Sequence, residues 1–263
     1  MTDLKLLEQL ESLIPRVSDD ILQPLFRQTT AKTKADGSIV TEADMAMQDS
    51  LTHLLKNLDT DVVMLGEEMS ADQQADIVNS GAAFWCLDPV DGTNNFHHGV
   101  PLFAVSLALI ADAQVQLGVV YDPVRRELFS ATTGSGLRLN GNAALKPEQP
   151  QQMNRCLASV DFKRLNSAMK QRLFEQMPFK SQRNIGTCAL EWAWLAAGRT
   201  QLLLHGGEKL WDYAAGILLL QQGGGISCSA DGEAIFNNTL QPRPVIAASE
   251  PELHRQWYQF LTG

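Results

Sequence analysis

In the stretch LDPVDGTNNF, Leu87 to Phe96, two carboxylates, Asp88 and Asp91, stand three residues apart around a proline, a glycine and a hydroxyl, directly after the apolar run AAFWC. Asp-Pro and Asp-Gly are turn signals, so one reading is a tight link between strands. A two-residue hairpin is flanked on both sides by alternating apolar residues, whereas NNFHHG follows here. If AAFWC is instead a buried strand, both acids emerge at its carboxyl end, where open α/β sheets collect ligands. Pro89 and Gly92 then fix a bend that aims them at one point. Hard oxygen ligands on a rigid turn suit magnesium. The backbone N–H groups of Gly92 and Thr93, at the start of a short turn, can hold a phosphate oxygen without any arginine.

Two further acidic positions follow apolar runs or open helices. Glu67 and Glu68, in GEEM, end the β-like run DVVML, and one of them reads as a solvated strand end. Asp212, in KLWDYAAG, begins a helix, where a first-turn acid is stabilising on its own account. Convergence of these distant segments does not follow from spacing.

Net charge is -9 and the pI about 5.0. A nucleic-acid backbone is repelled by such a surface, and no basic stripe runs along the chain. An acidic protein still binds a small anionic substrate once its carboxylates have collected divalent cations, because the ions reverse the local sign.

The elements that must position these acids are legible in outline. The amino terminus has helix-period Leu4, Leu7, Leu10 and Ile14 interleaved with acids, unlike a secretory signal. TTAKTKADGS, Thr29 to Ser38, reads as a mobile loop with Lys34 solvated in it. VTEADMAMQDSLTHLLKNL reads as a helix opened by Thr41, with Asp44 three residues on in the manner of a capping box. VVML and AAFWCL read as strands, and FAVSLALI, VQLGVVYD, RRELFSAT and GLRLNGN as an antiparallel meander. After LKPEQPQQ come the strand CLASVDF and a helix through MKQRLFEQM. GTCALEWAWLAAG reads as helix, LLLH as strand, WDYAAGILLLQQGGG as a helix stopped by glycines, and VIAAS with ELHRQWYQFL as a last strand and helix. This order fits a layered α/β sandwich, with a boundary near residues 141 to 152 that separates units 1–145 and 146–263.

The cysteines, Cys86, Cys156, Cys188 and Cys228, are widely spaced in apolar or small-residue surroundings, as reduced core thiols are. No run approaches the roughly 18 apolar residues of a membrane span, so a cytoplasmic address is expected, with no membrane partner.

GEE, then DPVDGTNNF, then WDYAAG, in that order and with VTEAD upstream, resemble the inositol monophosphatase family of magnesium-dependent, lithium-sensitive phosphatases. The resemblance runs from Lys34 to Gly225. It implies a five-layer αβαβα sandwich and, by resemblance only, a homodimer. It assigns two or three Mg²⁺ ions to Glu67, Asp88, Asp91, Asp212 and the backbone carbonyl of Val90. It also implies that Asp44 and Thr93, hydrogen-bonded as a pair, orient and help deprotonate the attacking water, with Glu67 in the catalytic set. Asp91, Gly92 and Thr93 would contact the phosphate. Gly186 and Thr187 match the start of a helix lining the substrate pocket, with Cys188 beside them. Phosphate monoesters hydrolyse so slowly unaided that up to about 10²¹-fold acceleration is needed. Two cations about 3.5–4 Å apart supply much of it, which explains acids in excess of bases.

One position departs from the family pattern. Members acting on inositol phosphate commonly carry a Glu seven residues before the WD aspartate, and here that residue is His205. It reads equally as a substrate contact or as a strand-end histidine. His97 and His98 would point to opposite sides of an extended segment and are read as non-ligands. Trp192 and Trp194 are read as core or interface. The expected activity is hydrolysis of a small sugar or polyol phosphate. The alternatives are a 3'-phosphoadenosine 5'-phosphate-type nucleotidase, a histidinol phosphatase, or a regulatory binding protein that keeps the fold.

Overall fold

The computed structural model describes residues 3–34, 37–58, 62–237 and 239–263. Helix α1 (Asp3–Leu25) buries Leu7, Leu10 and Ile14 along one stripe, and α2 (Glu42–Leu58) buries Ala43, Met47, Leu51 and Leu55 at every fourth position. Between them β1 (Ala31–Thr33) and β2 (Ile39–Thr41) pair as an antiparallel hairpin. The segment expected as a mobile loop is therefore built around backbone pairing, closed by the Lys34 amide donating to Ser38 O at 2.7 Å. Residues 35 and 36 lie outside the described residues.

A seven-stranded sheet follows in the order β3 (Val63–Gly66), β4 (Phe84–Asp91), β5 (Ala104–Ala111), β6 (Gln114–Asp122), β7 (Glu127–Thr132), β8 (Arg138–Leu139) and β9 (Asn142–Ala143). β3 lies parallel to β4, and the remainder is the expected antiparallel meander. Strand β4 is buried along its whole length. Trp85 and Leu87 pack with α1 and α2, whereas Phe84 and Cys86 pack toward the centre, as period-two alternation requires. The sequence reading stopped this strand at Asp88; the structure carries it to Asp91. Two short helices had no apolar stripe to announce them. These are α3 (Ala71–Asn79), capped by Ser70, and α4 (Thr93–His97), so NNFH is helical and His98 and Gly99 form a turn, where an extended segment was expected.

A second sheet has the order β11 (Ser181–Arg183), β10 (Leu157–Asp161), β12 (Leu202–Glu208), β14 (Arg243–Ala248), β13 (Ile226–Cys228). Helices α5 (Ser167–Gln176) and α8 (Pro251–Thr262) cover its outer face, where the fully buried Trp257 donates to Leu203 O at 3.0 Å. Helices α6 (Cys188–Ala196) and α7 (Leu210–Gln222) are apolar nearly all round, and they form the middle layer between the sheets. Trp192 is part of that core. The layers are thus α1/α2, sheet, α6/α7, sheet, α5/α8: the five-layer αβαβα sandwich. No described helix is long and apolar enough to cross a membrane.

Candidate active site

The carboxyl end of β4 carries the centre of the site. Asp88 pairs with Ser106 and Asp91 with Ala104, so the ladder shifts register between them, and both acids lie within the strand across this irregularity rather than beyond its end. Asp88 Oδ1 accepts the Val90 amide at 3.1 Å. Asp91 Oδ2 accepts the Ala189 amide at 2.7 Å and the Thr187 hydroxyl, so the amino-terminal turn of α6 holds this carboxylate. Gly92 follows in the left-handed region (φ 89°). An added Cβ would stand 3.1 Å from Leu102 O and 3.2 Å from the Thr187 Cβ, so the turn needs glycine for both angle and space.

Neighbouring elements bring the other acids to the same end. Gly66 is the parallel partner of Leu87, and the Glu67 amide continues the pairing by donating to Leu87 O at 3.1 Å. Lys34 reaches across from the β1–β2 hairpin, with Nζ 3.0 Å from Glu67 Oε1 and 2.6 Å from Glu68 Oε1. Lys34 is therefore not the solvated loop lysine that its sequence context suggested, and neither glutamate is a free strand end. Asp212 is the third residue of α7, and its Oδ2 accepts the Lys209 amide at 2.8 Å. The same helix start is tied to β5, where the Ser106 hydroxyl donates to Trp211 O at 3.2 Å; Ser106 is the ladder partner of Asp88.

Burial pushes the Asp88 carboxyl well above its usual range, and Glu67, Asp91 and Asp212 push it further. Burial raises Asp91 to about 6 against the hydrogen bonds from Thr187 and Ala189, and raises Asp212 to about 7 with repulsion from Asp91 and Glu67. Four acids from three elements thus share one field, and the raised carboxyls of Asp88, Asp91 and Asp212 favour protons unless cations compensate them. Among the described residues no three acids are already closed up as a metal cage, and Glu67 is turned onto Lys34. The donor set nonetheless fits a hard divalent cation. It is all oxygen, its charges are uncompensated at Asp88 and Asp212, and at Glu67 an ammonium already plays the part of counter-ion.

Asp44 lies on the first turn of α2. Its Oδ2 accepts the Thr41 amide at 2.7 Å and the Thr41 hydroxyl at 2.6 Å, and its Oδ1 lies 3.1 Å from Thr93 Oγ1. Thr93 Oγ1 is also 3.0 Å from the Val90 carbonyl oxygen. Gly186 and Thr187 lead into α6 beside Asp91, with Cys188 as its first residue. Burial keeps the Cys188 thiol well above its usual value, so it is no nucleophile. His205 lies on β12 of the second sheet and is hydrogen-bonded there. His97 and His98 lie on α4 and its cap with their rings edge to face at 5.0 Å, not on the two sides of a strand.

Three further acids stand near this end: Asp161 and Glu191, which escaped the sequence reading, and Glu208, three residues after His205; the last two are buried. The one local signal was Glu191, in the first turn of the helix opened by Gly186 and Thr187. Trp192 Nε1 donates to Glu208 Oε2 at 2.7 Å, a contact between α6 and β12 that no local pattern encodes.

A five-layer sandwich with this acid cluster at its centre places the chain among the phosphomonoester hydrolases. Residues 5–261 match the model of the inositol monophosphatase family, and the chain belongs to that family. It is 34% identical over 249 residues to inositol monophosphatase 1 of Solanum lycopersicum, covering 92% of this chain and 89% of that protein. It is 32% identical over 210 residues to Nus factor SuhB of Pasteurella multocida (strain Pm70), covering 78% and 76%. A lithium chloride-soaked inhibitory complex of Staphylococcal inositol monophosphatase-1 has a TM-score of 0.87 at 25% identity, with 100% of this chain and 97% of that one covered.

Proposed function

We propose that the chain hydrolyses small phosphomonoesters, sugar or polyol phosphates first among them. Glu67, Asp88, Asp91, Asp212 and the Val90 carbonyl would hold two or three magnesium ions. The observation that carries the reading is the shared field of the four acids, in which the raised carboxyls of Asp88, Asp91 and Asp212 call for divalent cations. When bound, magnesium lowers the pKa of a water and stabilises charge on the leaving oxygen. Thr93 and Asp44 take the proton of the attacking water. Asp44 Oδ2 is filled by Thr41, so Oδ1 is the oxygen left to accept from Thr93, and the Thr93 oxygen keeps a lone pair for the water. The amides of Gly92 and Thr93 head α4 and hold phosphate oxygens. Gly186, Thr187 and Cys188 line the pocket floor beside Asp91. The likeness to inositol monophosphatase 1 and to the lithium complex supports this reading, inhibition by lithium included. The family resemblance carries the expected homodimer, while the sequence reading of signal and membrane runs carries the expected cytoplasmic address and the change of pattern near residues 141 to 152 carries the division into units 1–145 and 146–263.

A second reading, a binding protein that keeps the fold, draws support from the likeness to a Nus factor. Phosphate release decides between them. A panel of polyol and sugar phosphates, 3'-phosphoadenosine 5'-phosphate and histidinol phosphate is turned over with and without magnesium, beside Asp88→Asn. Magnesium-dependent release from a polyol phosphate, lost in Asp88→Asn, is the expected result. Preference for the nucleotide by orders of magnitude in kcat/KM, or no release from any ester, overturns it.

A further inference from the structure

His205 has no ring nitrogen to spare. The Gly207 amide donates to Nδ1 at 3.1 Å, so the proton of the neutral ring sits on Nε2, 3.3 Å from Asp161 Oδ2. Asp161 and His205 are ladder partners on the parallel strands β10 and β12, and Asp161 Oδ1 also accepts the Lys163 amide at 2.6 Å. Behind the ring, Glu208 Oε1 lies 4.0 Å from Nδ1, fully buried and without a hydrogen-bond partner, while Trp192 fixes the other oxygen. The arrangement is graded outward: the Glu208 side chain is 0% exposed, His205 6% and Asp161 25%. The atom this group presents to the outside is therefore the Asp161 carboxylate.

Its place in the fold is the carboxyl end of the second sheet. β10 and β12 run parallel, so Asp161 ends at the edge from which β12 continues into the first turn of α7, where Asp212 stands. Trp192 ties Glu208 to α6, whose first turn holds Asp91 through the Ala189 amide, so Glu208 links the end of β12 to the helix start beside the proposed metal acids. The hydrogen bond from His205 holds the Asp161 carboxyl below its usual range. The Arg164 guanidinium donates to Gly207 O at 2.6 Å, near enough that its charge also helps hold the Asp161 carboxyl down.

We propose that Asp161 is the hydrogen-bond acceptor for the non-phosphate part of the substrate, with His205 as the positioning residue behind it. On this arrangement the site selects phosphomonoesters that carry a hydroxyl or ammonium donor over those that carry a second anion. An ionised carboxylate only accepts, and it repels a further phosphate. The carboxylate that relatives place on the β12 segment is here delivered from β10, braced by the imidazole at the vacated position. The inference rests on the phosphatase reading above.

The test compares wild type, Asp161→Asn, His205→Ala and His205→Gln on three magnesium-dependent reactions: an inositol monophosphate, p-nitrophenyl phosphate, which has no donor, and a hexose bisphosphate. Asp161→Asn should raise KM for the inositol phosphate by about tenfold to a hundredfold with kcat kept. It should leave p-nitrophenyl phosphate kinetics unchanged, which also reports an intact fold, and improve KM for the bisphosphate. His205→Ala should shift KM in the same direction by less, and His205→Gln, whose amide can still donate to Asp161, should restore most of it. Equal effects on all three esters, or none, overturn the inference while phosphate release by the wild type leaves the phosphatase reading standing. No release by the wild type from any ester overturns both.

Discussion

Thr93 Oγ1 stands 3.1 Å from Asp44 Oδ1, a contact between side chains 49 residues apart. It exists because the register irregularity and Gly92 turn the end of β4 back toward the first turn of α2. Burial raises the Asp44 carboxyl above its usual range against the hydrogen bonds of Thr41 and Thr93, which improves it as a proton acceptor. Replacing the hydroxyl by a methyl in Thr93→Val, or the carboxylate by an amide in Asp44→Asn, should lower kcat by about 10²–10⁴-fold with KM little changed. Neither residue belongs to the proposed metal set. Steady-state kinetics should therefore be paired with thermal denaturation, in which both variants keep the magnesium-induced rise in Tm.

Asp88 should behave in the opposite way. Its buried charge is opposed by Glu67, Asp91 and Asp212, so Asp88→Asn relieves repulsion and raises Tm in EDTA, while phosphate release and the Tm rise with magnesium are both lost. The pH dependence has a definite sign. Asp91 at about 6 and Asp212 at about 7 both lie above the ordinary 3.8. Their contribution to stability is full below that ordinary value and is lost as pH rises through the raised ones. The Tm of metal-free wild type should fall across this window, and the gap opened by magnesium should widen as bound protons give way to cations. A gap that stays constant from pH 5 to pH 8 would count against the cation reading.

Gly92 offers a purely conformational test. At φ 89°, with Leu102 O and Thr187 on either side of an added Cβ, Gly92→Ala costs about 1–3 kcal/mol and displaces the start of α4 from Asp91. Chemical denaturation should show the stability loss, and phosphate release should fall with it. The control Gly134→Ala has a similar φ of 81° in open space, and should lose stability with no effect on turnover.

How far the sequence could be read depended on the range of the interaction. The apolar run of β4 and the Thr41–Asp44 start of α2 are local signals, and both elements were legible from them. Strands β11 and β13, of three residues each, carry too few positions for any period to show. Lys34 was misread because its partners lie 33 and 34 residues away, and a polar stretch such as TTAKTKADGS looks like a solvated loop until Glu67 and Glu68 are placed beside Lys34. The motif residues Asp88, Asp91, Glu67 and Asp212 were named through family resemblance, since nothing in their spacing brings β3, β4 and α7 to one point. Asp161 and Glu208 belong to no motif. Only the parallel register of β10 and β12 and the reach of Trp192 single them out.

Glu191 separates burial from metal binding. It sits in the first turn of α6, 4% exposed, with Oε1 accepting the Ile185 amide at 3.1 Å. Burial raises its carboxyl to about 8; the Ile185 amide opposes this, Glu208 adds to it and His205 relieves it. Because the folded value lies above the ordinary 4.5, its share of stability is full below that pH and is lost as pH rises through about 8. Each pH unit crossed in that window costs about 1.4 kcal/mol, so the total is on the order of a few kcal/mol. Glu191→Gln keeps the volume and the acceptor for Ile185 but cannot ionise. Wild type and variant should melt together near pH 4.5 and diverge by several degrees by pH 8.5, with the variant higher. Melting curves that fall in parallel would mean that Glu191 is not the group that titrates.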